Sequence, residues 1–271
     1  MQFLETHPSD HLSHFVKSFW RMSCDLPNHK EIITRDIPNG DFHVLFNLGT
    51  AFKNRRDNKD FLYQNGIVKG QQSQYLKIVQ SNGCDMVGIS FHPWGLYPFT
   101  KIPSKEFYKQ IVNVNDVFEP ALEEKLLGLQ FHEQVSLLKS YLMKKLDNYK
   151  SKSYLVELLA SDIIANKGQV KIANYLQKYN ISQKHLTRCF HELVGLSPKK
   201  LAGLCRVNAV IDSIKVPNDT IDWIDVVVKE NYYDHSHMIK DFKKVVGLTP
   251  ENFIKAGDSI YQRFYSHLKI F

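Results

Sequence analysis

Apolar and polar positions follow two different rhythms along this chain. Over residues 1 to about 100 they come as short runs broken by turn residues. Ile37-Pro38-Asn39-Gly40-Asp41 reads as a turn centred on Asn-Gly. Phe42-His43-Val44-Leu45-Phe46-Asn47-Leu48-Gly49 after it is an apolar run of strand length. Val87-Gly88-Ile89-Ser90-Phe91-His92-Pro93-Trp94-Gly95 alternates apolar with small or polar residues. Several short strands punctuated in this way predict a β-sandwich or barrel-like domain. From about Ser104 the period lengthens. Leu122, Leu126, Leu127, Phe131, Val135, Leu138, Tyr141, Leu142 and Leu146 recur at three or four, which predicts amphipathic helices over 104–147. The stretch Lys144–Ser153 is polar, basic and poor in core residues, and marks a domain boundary. Everything after it reads as helix. The fold class expected is α+β in two domains: 1–148, β-rich to residue 100 and helical from 104, and an all-α 154–271.

The all-α half contains an internal repeat at an offset of 52 residues. Ser182–Pro198 reads SQKHLTRCFHELVGLSP and Asp234–Pro250 reads DHSHMIKDFKKVVGLTP, with six of 17 positions identical and no gap. Each copy specifies one helix and both its ends. Ser182 and Asp234 suit the N-cap, where a side-chain oxygen takes a free first-turn N–H. Leu186, Phe190, Leu193 and Val194 fall on one face, as do Met238, Phe242, Val245 and Val246. Gly195 and Gly247 stand where a left-handed residue ends a helix, and Ser197-Pro198 and Thr249-Pro250 start the next one. Upstream of each copy lies a shorter apolar-periodic segment (Ile172, Tyr175, Leu176, Tyr179; and Ile221, Ile224, Val227, Val228). The joints carry Asn180 and Asn231, a residue type that tolerates positive φ. Helix, tight turn and capped helix, twice over, is the helix-turn-helix arrangement, whose second helix enters the DNA major groove. The connector Pro198–Ile214 also reads as helix, about 25 Å long at 1.5 Å per residue. That is a separation comparable to one DNA turn of about 34 Å.

These residues resemble the AraC/XylS-type bacterial transcriptional regulators. The second unit, Asn231 to Phe253, is similar to that family's signature of Gly-Tyr-x-Asp-x-Ser-His-Phe, Phe-Lys and Gly-x-Thr-Pro-x-x-Phe/Tyr. The first unit matches its partner pattern at Ile181-Ser182, Leu186-x-Arg188-x-Phe190, Gly195-x-Ser197-Pro198 and Arg206. The resemblance covers about Gly168 to Phe253. Asn231 replaces the usual Gly, Met238 a Phe, and Leu176 and Val227 small residues. The first half more distantly resembles an N-terminal domain of some members, through Ile37-Pro38-Asn39-Gly40, Leu45–Gly49 and Gly88–Gly95. The resemblance implies a regulatory role for that half and names no ligand.

Charge agrees with a polyanion partner. The chain carries 35 Lys+Arg against 28 Asp+Glu, a net of +7. The first 150 residues hold 18 basic and 16 acidic residues, the last 121 hold 17 and 12, so +5 of the excess sits in the shorter, helical part. Side chains off the apolar face in the N-terminal half of each second helix are the candidates for double-stranded DNA. In the first unit these are Gln183, Lys184, Thr187 and Arg188, with His191 one turn on. In the second they are His235, Ser236, Ile239 and Lys240, with Lys243 and Lys244 nearer the backbone. Arg188 suits guanine, Gln183 adenine, and Ile239 a thymine methyl. Lys184, Lys243, Lys244, Lys199 and Lys200 suit phosphates. Helix-dipole neutralisation is a second role open to Lys243 and Lys244. Arg206 is expected in an ion pair that steadies the connector, and His237 either in a packed or capping role or in a base contact.

Mean hydropathy is −0.31 and no run approaches the roughly 20 apolar residues of a membrane span. No secretory signal is evident at the N-terminus, so a cytoplasmic protein without a membrane partner is expected. Cys24, Cys84, Cys189 and Cys205 lie far apart with no CxxC spacing, and read as buried thiols in a reducing compartment. No catalytic residue, metal site or cofactor is expected. His185, His191, His235 and His237 lack the spacing of a structural zinc site.

For the N-terminal domain three readings stand. The first is a sensor for a small-molecule effector, in which Phe42, Phe46, Phe91, Trp94, Tyr97 and Phe99 either line a cavity or form the core. The second is an enzymatic domain. Asp41-Phe42-His43 with a distant His92 falls short of a cupin metal site, and Cys24 and Cys84 alone fall short of the four cysteines of an alkyl-acceptor domain. The third is a scaffold pairing with a second copy through the Leu/Phe/Tyr stripe between Glu119 and Leu146, unless that stripe packs on its own domain. RNA polymerase is the further partner that a transcription regulator calls for.

Overall fold

The computed structural model describes residues 2–24, 31–56, 59–80, 82–146, 154–214 and 221–256. Ten strands are found among them: β1 (Gln2–Thr6), β2 (Val16–Cys24), β3 (Ile32–Asp36), β4 (Phe42–Asn47), β5 (Phe52–Arg56), β6 (Lys59–Tyr63), β7 (Ile67–Lys69), β8 (Leu76–Gln80), β9 (Cys84–Phe91) and β10 (Ile111–Asn113). They form two antiparallel sheets, one ordered β1-β2-β9-β4-β7-β10 and one β3-β8-β5-β6.

The period of two explains the layering. On the central strands of the larger sheet, Phe19, Phe42, Val44, Phe46, Val87, Ile89 and Phe91 point to one face. That face is covered by a one-turn helix α1 (Tyr97–Thr100), α2 (Ala121–Leu126) and α3 (Phe131–Leu146), through Phe118, Leu122, Leu126, Leu138 and Leu142. Residues one step along, Trp20, Met22, Cys24, Cys84 and Met86, face the second sheet with Phe52 and Ile67. Each large side chain buried in this way contributes roughly 1.5–3 kcal/mol. Helices on one face and a sheet on the other account for the near-continuous apolar character of β9.

The helical stretch expected from Ser104 begins later than its period suggested. Ser104–Phe107 and Val114–Asp116 are single 3₁₀ turns, and Ile111-Val112-Asn113 between them is a strand paired with β7. A β-branched pair beside an unfilled sheet edge favours strand over helix there. The stripe running from Leu122 to Leu142 packs on its own sheet. Of the Lys144–Ser153 boundary segment, residues 147–153 lie outside the described residues, as do 257–271 of the expected second domain.

Among the described residues the C-terminal half contains helices and no strand: α4 (Tyr154–Ala165), α5 (Ile172–Lys178), α6 (Gln183–Leu193), α7 (Pro198–Ile214), α8 (Trp223–Lys229), α9 (His235–Val246) and α10 (Pro250–Lys255). Its core gathers Leu186, Phe190, Met238 and Phe242 around α4 and α7. Ile37, Trp94 and Tyr97 of the N-terminal half lie in the same core, so the two halves share buried apolar surface. No helix among the described residues is long and apolar enough to cross a membrane.

Candidate nucleic-acid interface

The two repeats build the same object from the same local rules. Ser182 caps α6 through its hydroxyl, which accepts from the His185 N–H at 3.2 Å. Asp234 caps α9, its Oδ1 accepting from the His237 N–H at 2.7 Å. The tight turns before them place Asn180 at φ 45° and Asn231 at φ 54°. Gly195 and Gly247 end the helices at φ 80° and 78°, a conformation that strains any residue with a Cβ. Pro198 and Pro250 then open α7 and α10, with Ser197 and Thr249 accepting first-turn N–H bonds.

Leu186, Phe190, Met238 and Phe242 are fully buried or nearly so, which turns the opposite face of each helix outward. Gln183, Lys184 and Arg188 are exposed on α6, with Thr187 and His191 half-buried beside them. On α9, His235, Ser236, Lys240, Lys243 and Lys244 are exposed and Ile239 is half-buried. The Arg188 guanidinium lies 3.4 Å from the His185 ring, one turn back. His191, Lys243 and Lys244 sit in the last turns of their helices, where a cation also meets the negative end of the dipole.

Three other residues named from the sequence have partners within the chain. Arg206 has its guanidinium over the Tyr232 ring at 5.7 Å, so it steadies the second unit through an aromatic face. His237 is exposed, edge-on to Tyr232 and 3.6 Å from Asp241. Lys200 stands over the Tyr108 ring of the N-terminal half at 4.8 Å and is engaged between the halves.

The contacts between the halves left no signature in the sequence. Ser104 donates its hydroxyl to the Leu193 carbonyl at 2.9 Å, and the Tyr75 N–H donates to the Val245 carbonyl at 2.8 Å. Asn208 on the connector donates to the Pro38 carbonyl at 2.9 Å, and His14 meets Glu157 of α4 at 2.9 Å. Trp94 and Tyr97 belong to this shared core. Phe42, Phe46, Phe91 and Phe99 fill the core between sheet and helices, with Phe91 and Phe99 centroids 5.4 Å apart.

A profile described as a helix-turn-helix domain matches residues 175–256, both units and the connector together. The C-terminal half therefore carries a helix-turn-helix domain. Residues 4–113 match a second profile, described as a domain of unknown function (DUF6597). No curated protein matches the chain. Among solved structures the chain is similar to ToxT from Vibrio cholerae, at 12% identity over 94% of this chain and 98% of that one, with a TM-score of 0.44. A ToxT structure from the same species, described as bound to an unsaturated fatty acid, matches at 10% identity over 86% and 97%, with a TM-score of 0.40. CuxR, described as an AraC-like transcriptional activator, matches at 10% identity over 70% and 80%, with a TM-score of 0.32. Helix-turn-helix units capped, turned and charged in this way are suited to binding DNA.

Proposed function

We propose that α6 and α9 enter successive major grooves on one side of a promoter. Gln183, Thr187 and Arg188 then read bases in one groove, and His235, Ser236, Ile239 and Lys240 in the other. Lys184, Lys243 and Lys244 hold phosphates, and His191 completes the first contact surface. The carrying observation is the pair of identically capped helices with exposed polar faces, joined by the single 17-residue helix α7. Tyr233, 92% exposed immediately before the N-cap of α9, adds an aromatic and a hydroxyl where a phosphate would approach.

The N-terminal half modulates this binding by holding the recognition units from behind. A ligand or partner acts through it only by preferring one arrangement of that contact over another. The scaffold reading loses its main support, since Leu122, Leu126, Leu138 and Leu142 are spent on the domain's own sheet. A role as binding protein rather than enzyme, with RNA polymerase and a small-molecule effector as partners, completes the reading.

Selection of bound DNA from a random pool by the full chain tests it. Enrichment of two short half-sites about 10 base pairs apart is expected. Enrichment of one half-site alone, or of none, overturns the two-groove reading.

A further inference from the structure

Two of the four cysteines, far apart in sequence, are neighbours in space. Antiparallel pairing of β2 with β9 sets Cys24 directly opposite Cys84, and Met22 directly opposite Met86. Directly opposed residues in such a ladder have Cα atoms about 4.5 or 5.5 Å apart, and both values lie within the span a disulfide bridges. The two side chains share one face, since both pack in the cluster with Trp20, Met22 and Met86 between the sheets. They form the last rung of the ladder: Cys24 ends its strand, Cys84 begins its own, and exposed Asn82 and Gly83 lie next to them.

We propose that Cys24 and Cys84 are a reversible dithiol–disulfide pair, oxidised within one chain by a peroxide. The two thiols face the same inter-sheet core from opposite sides of one rung. The Cys84 thiol hydrogen-bonds to Cys24, which lowers the Cys24 pKa and raises that of Cys84. Cys24 is therefore the attacking thiolate and Cys84 the resolving thiol. Cys24 Sγ attacks one peroxide oxygen and the O–O bond breaks. This leaves a sulfenic acid on Cys24 and a hydroxide, which takes the proton Cys24 released to become water. Cys84 Sγ then attacks Cys24 Sγ; the S–S bond forms, the S–O bond breaks, and the departing hydroxide leaves as water with the Cys84 proton. Two thiols lose two electrons and one hydrogen peroxide gains them. Burial limits access to small oxidants and to moments when the end of the ladder opens. The remaining thiols are placed differently. Cys205 is buried on α7 with its pKa pushed up to about 12, and Cys189 lies on α6 beside His185.

The test uses the full, unmodified chain. It is treated with hydrogen peroxide, unfolded, alkylated and digested, and its peptides are mapped by mass spectrometry. The expected result is one linked pair joining residues 24 and 84. With Cys189 and Cys205 replaced by serine, the titre of alkylatable thiols falls from two to none and returns to two with dithiothreitol. Cys84→Ser should leave a sulfenic acid on Cys24 that dimedone traps. Recovery of both Cys24 and Cys84 as alkylated, unlinked peptides from oxidised wild-type chain overturns the proposal. So does a linkage of either to a different cysteine.

Discussion

The Tyr75 N–H donates to the Val245 carbonyl, and Val245 is the repeat equivalent of Leu193, whose carbonyl takes the Ser104 hydroxyl. Two separate segments of the N-terminal half thus bind the same carbonyl in each repeat, at the end of each recognition helix. The glycines two residues on are equivalent too. A Cβ on Gly195 would meet the Ser104 backbone, and one on Gly247 the Tyr75 ring. The N-terminal half therefore sets the relative pose of both helices at the ends that face away from their N-caps. Ser104→Ala removes a buried donor and leaves the Leu193 carbonyl short of a partner, a loss of about 1 kcal/mol. Urea unfolding of the full chain should show it as a lower midpoint with an unchanged slope; an unchanged midpoint counts against the contact.

Gly247→Ala adds two costs at once. The αL conformation at φ 78° is unfavourable for alanine by about 1 kcal/mol, and the new methyl overlaps the Tyr75 ring. Tyr75→Ala relieves the second cost and leaves the first. The double variant should therefore lose less stability than the two single losses added together, with a coupling of about 0.5–3 kcal/mol. Strict additivity in thermal unfolding would place Tyr75 away from Gly247.

Base and phosphate contacts separate in their salt dependence. Arg188→Ala should weaken the selected site by about 1–3 kcal/mol and random DNA much less. Lys244→Ala should weaken both alike and lower the salt slope by about one. Fluorescence titrations at several salt concentrations check both. Equal losses for Arg188→Ala on the two DNAs would remove its base-reading role.

The helix-turn-helix units were legible because each of their parts is a local rule written in a few adjacent residues. Ser182, Asn180 and Gly195 announce a cap, a turn and a stop whatever surrounds them, and the repeat at 52 states each twice. The N-terminal half was legible as a sandwich or barrel of short strands but not in its strand order, since register depends on partners distant in the chain. The strand at Ile111–Asn113 was missed for the same reason: three residues hold no period, and only the free edge of β7 makes them a strand. The opposition of Cys24 and Cys84 is likewise a product of register. Contacts such as Ser104 with Leu193 and Lys200 with Tyr108 depend on how the two halves meet, and no pattern within either half encodes that.

The caps themselves carry measurable stability. Ser182→Ala and Asp234→Ala should each cost about 1 kcal/mol, with Asp234 at the larger end because its carboxylate also meets the positive end of the α9 dipole. Exposed caps in separate units should add, so the double variant loses the sum to within about 0.5 kcal/mol. Asn231→Val, by contrast, puts a β-branched residue at φ 54° and should cost about 1–2 kcal/mol. Denaturant melts of the three variants rank these effects, and a silent Asn231→Val would contradict the tight turn before α9.

His43 links the N-terminal sheets to pH. It lies on β4 between β9 and β7; β7 brings Lys69, β2 on the far side of β9 brings Lys17, and the His43 Nδ1 is 3.1 Å from the Ser90 hydroxyl of β9, which also accepts from the Trp20 indole. Burial first, then the two lysines, holds its pKa well below 6.5. The folded chain therefore keeps His43 neutral where the unfolded chain is protonated. The unfolded state binds more protons below about pH 6.5, so stability is intact above that value and falls as pH drops. The slope from one such group reaches about 1.4 kcal/mol per pH unit. His92, lowered mainly by burial, acts in the same direction, whereas Glu123, raised by burial, acts oppositely at lower pH. Thermal unfolding from about pH 8 to about pH 5 should show a falling midpoint, and His43→Gln should flatten part of that fall. A variant whose midpoint falls as steeply as wild type would mean that His43 is protonated in the folded chain.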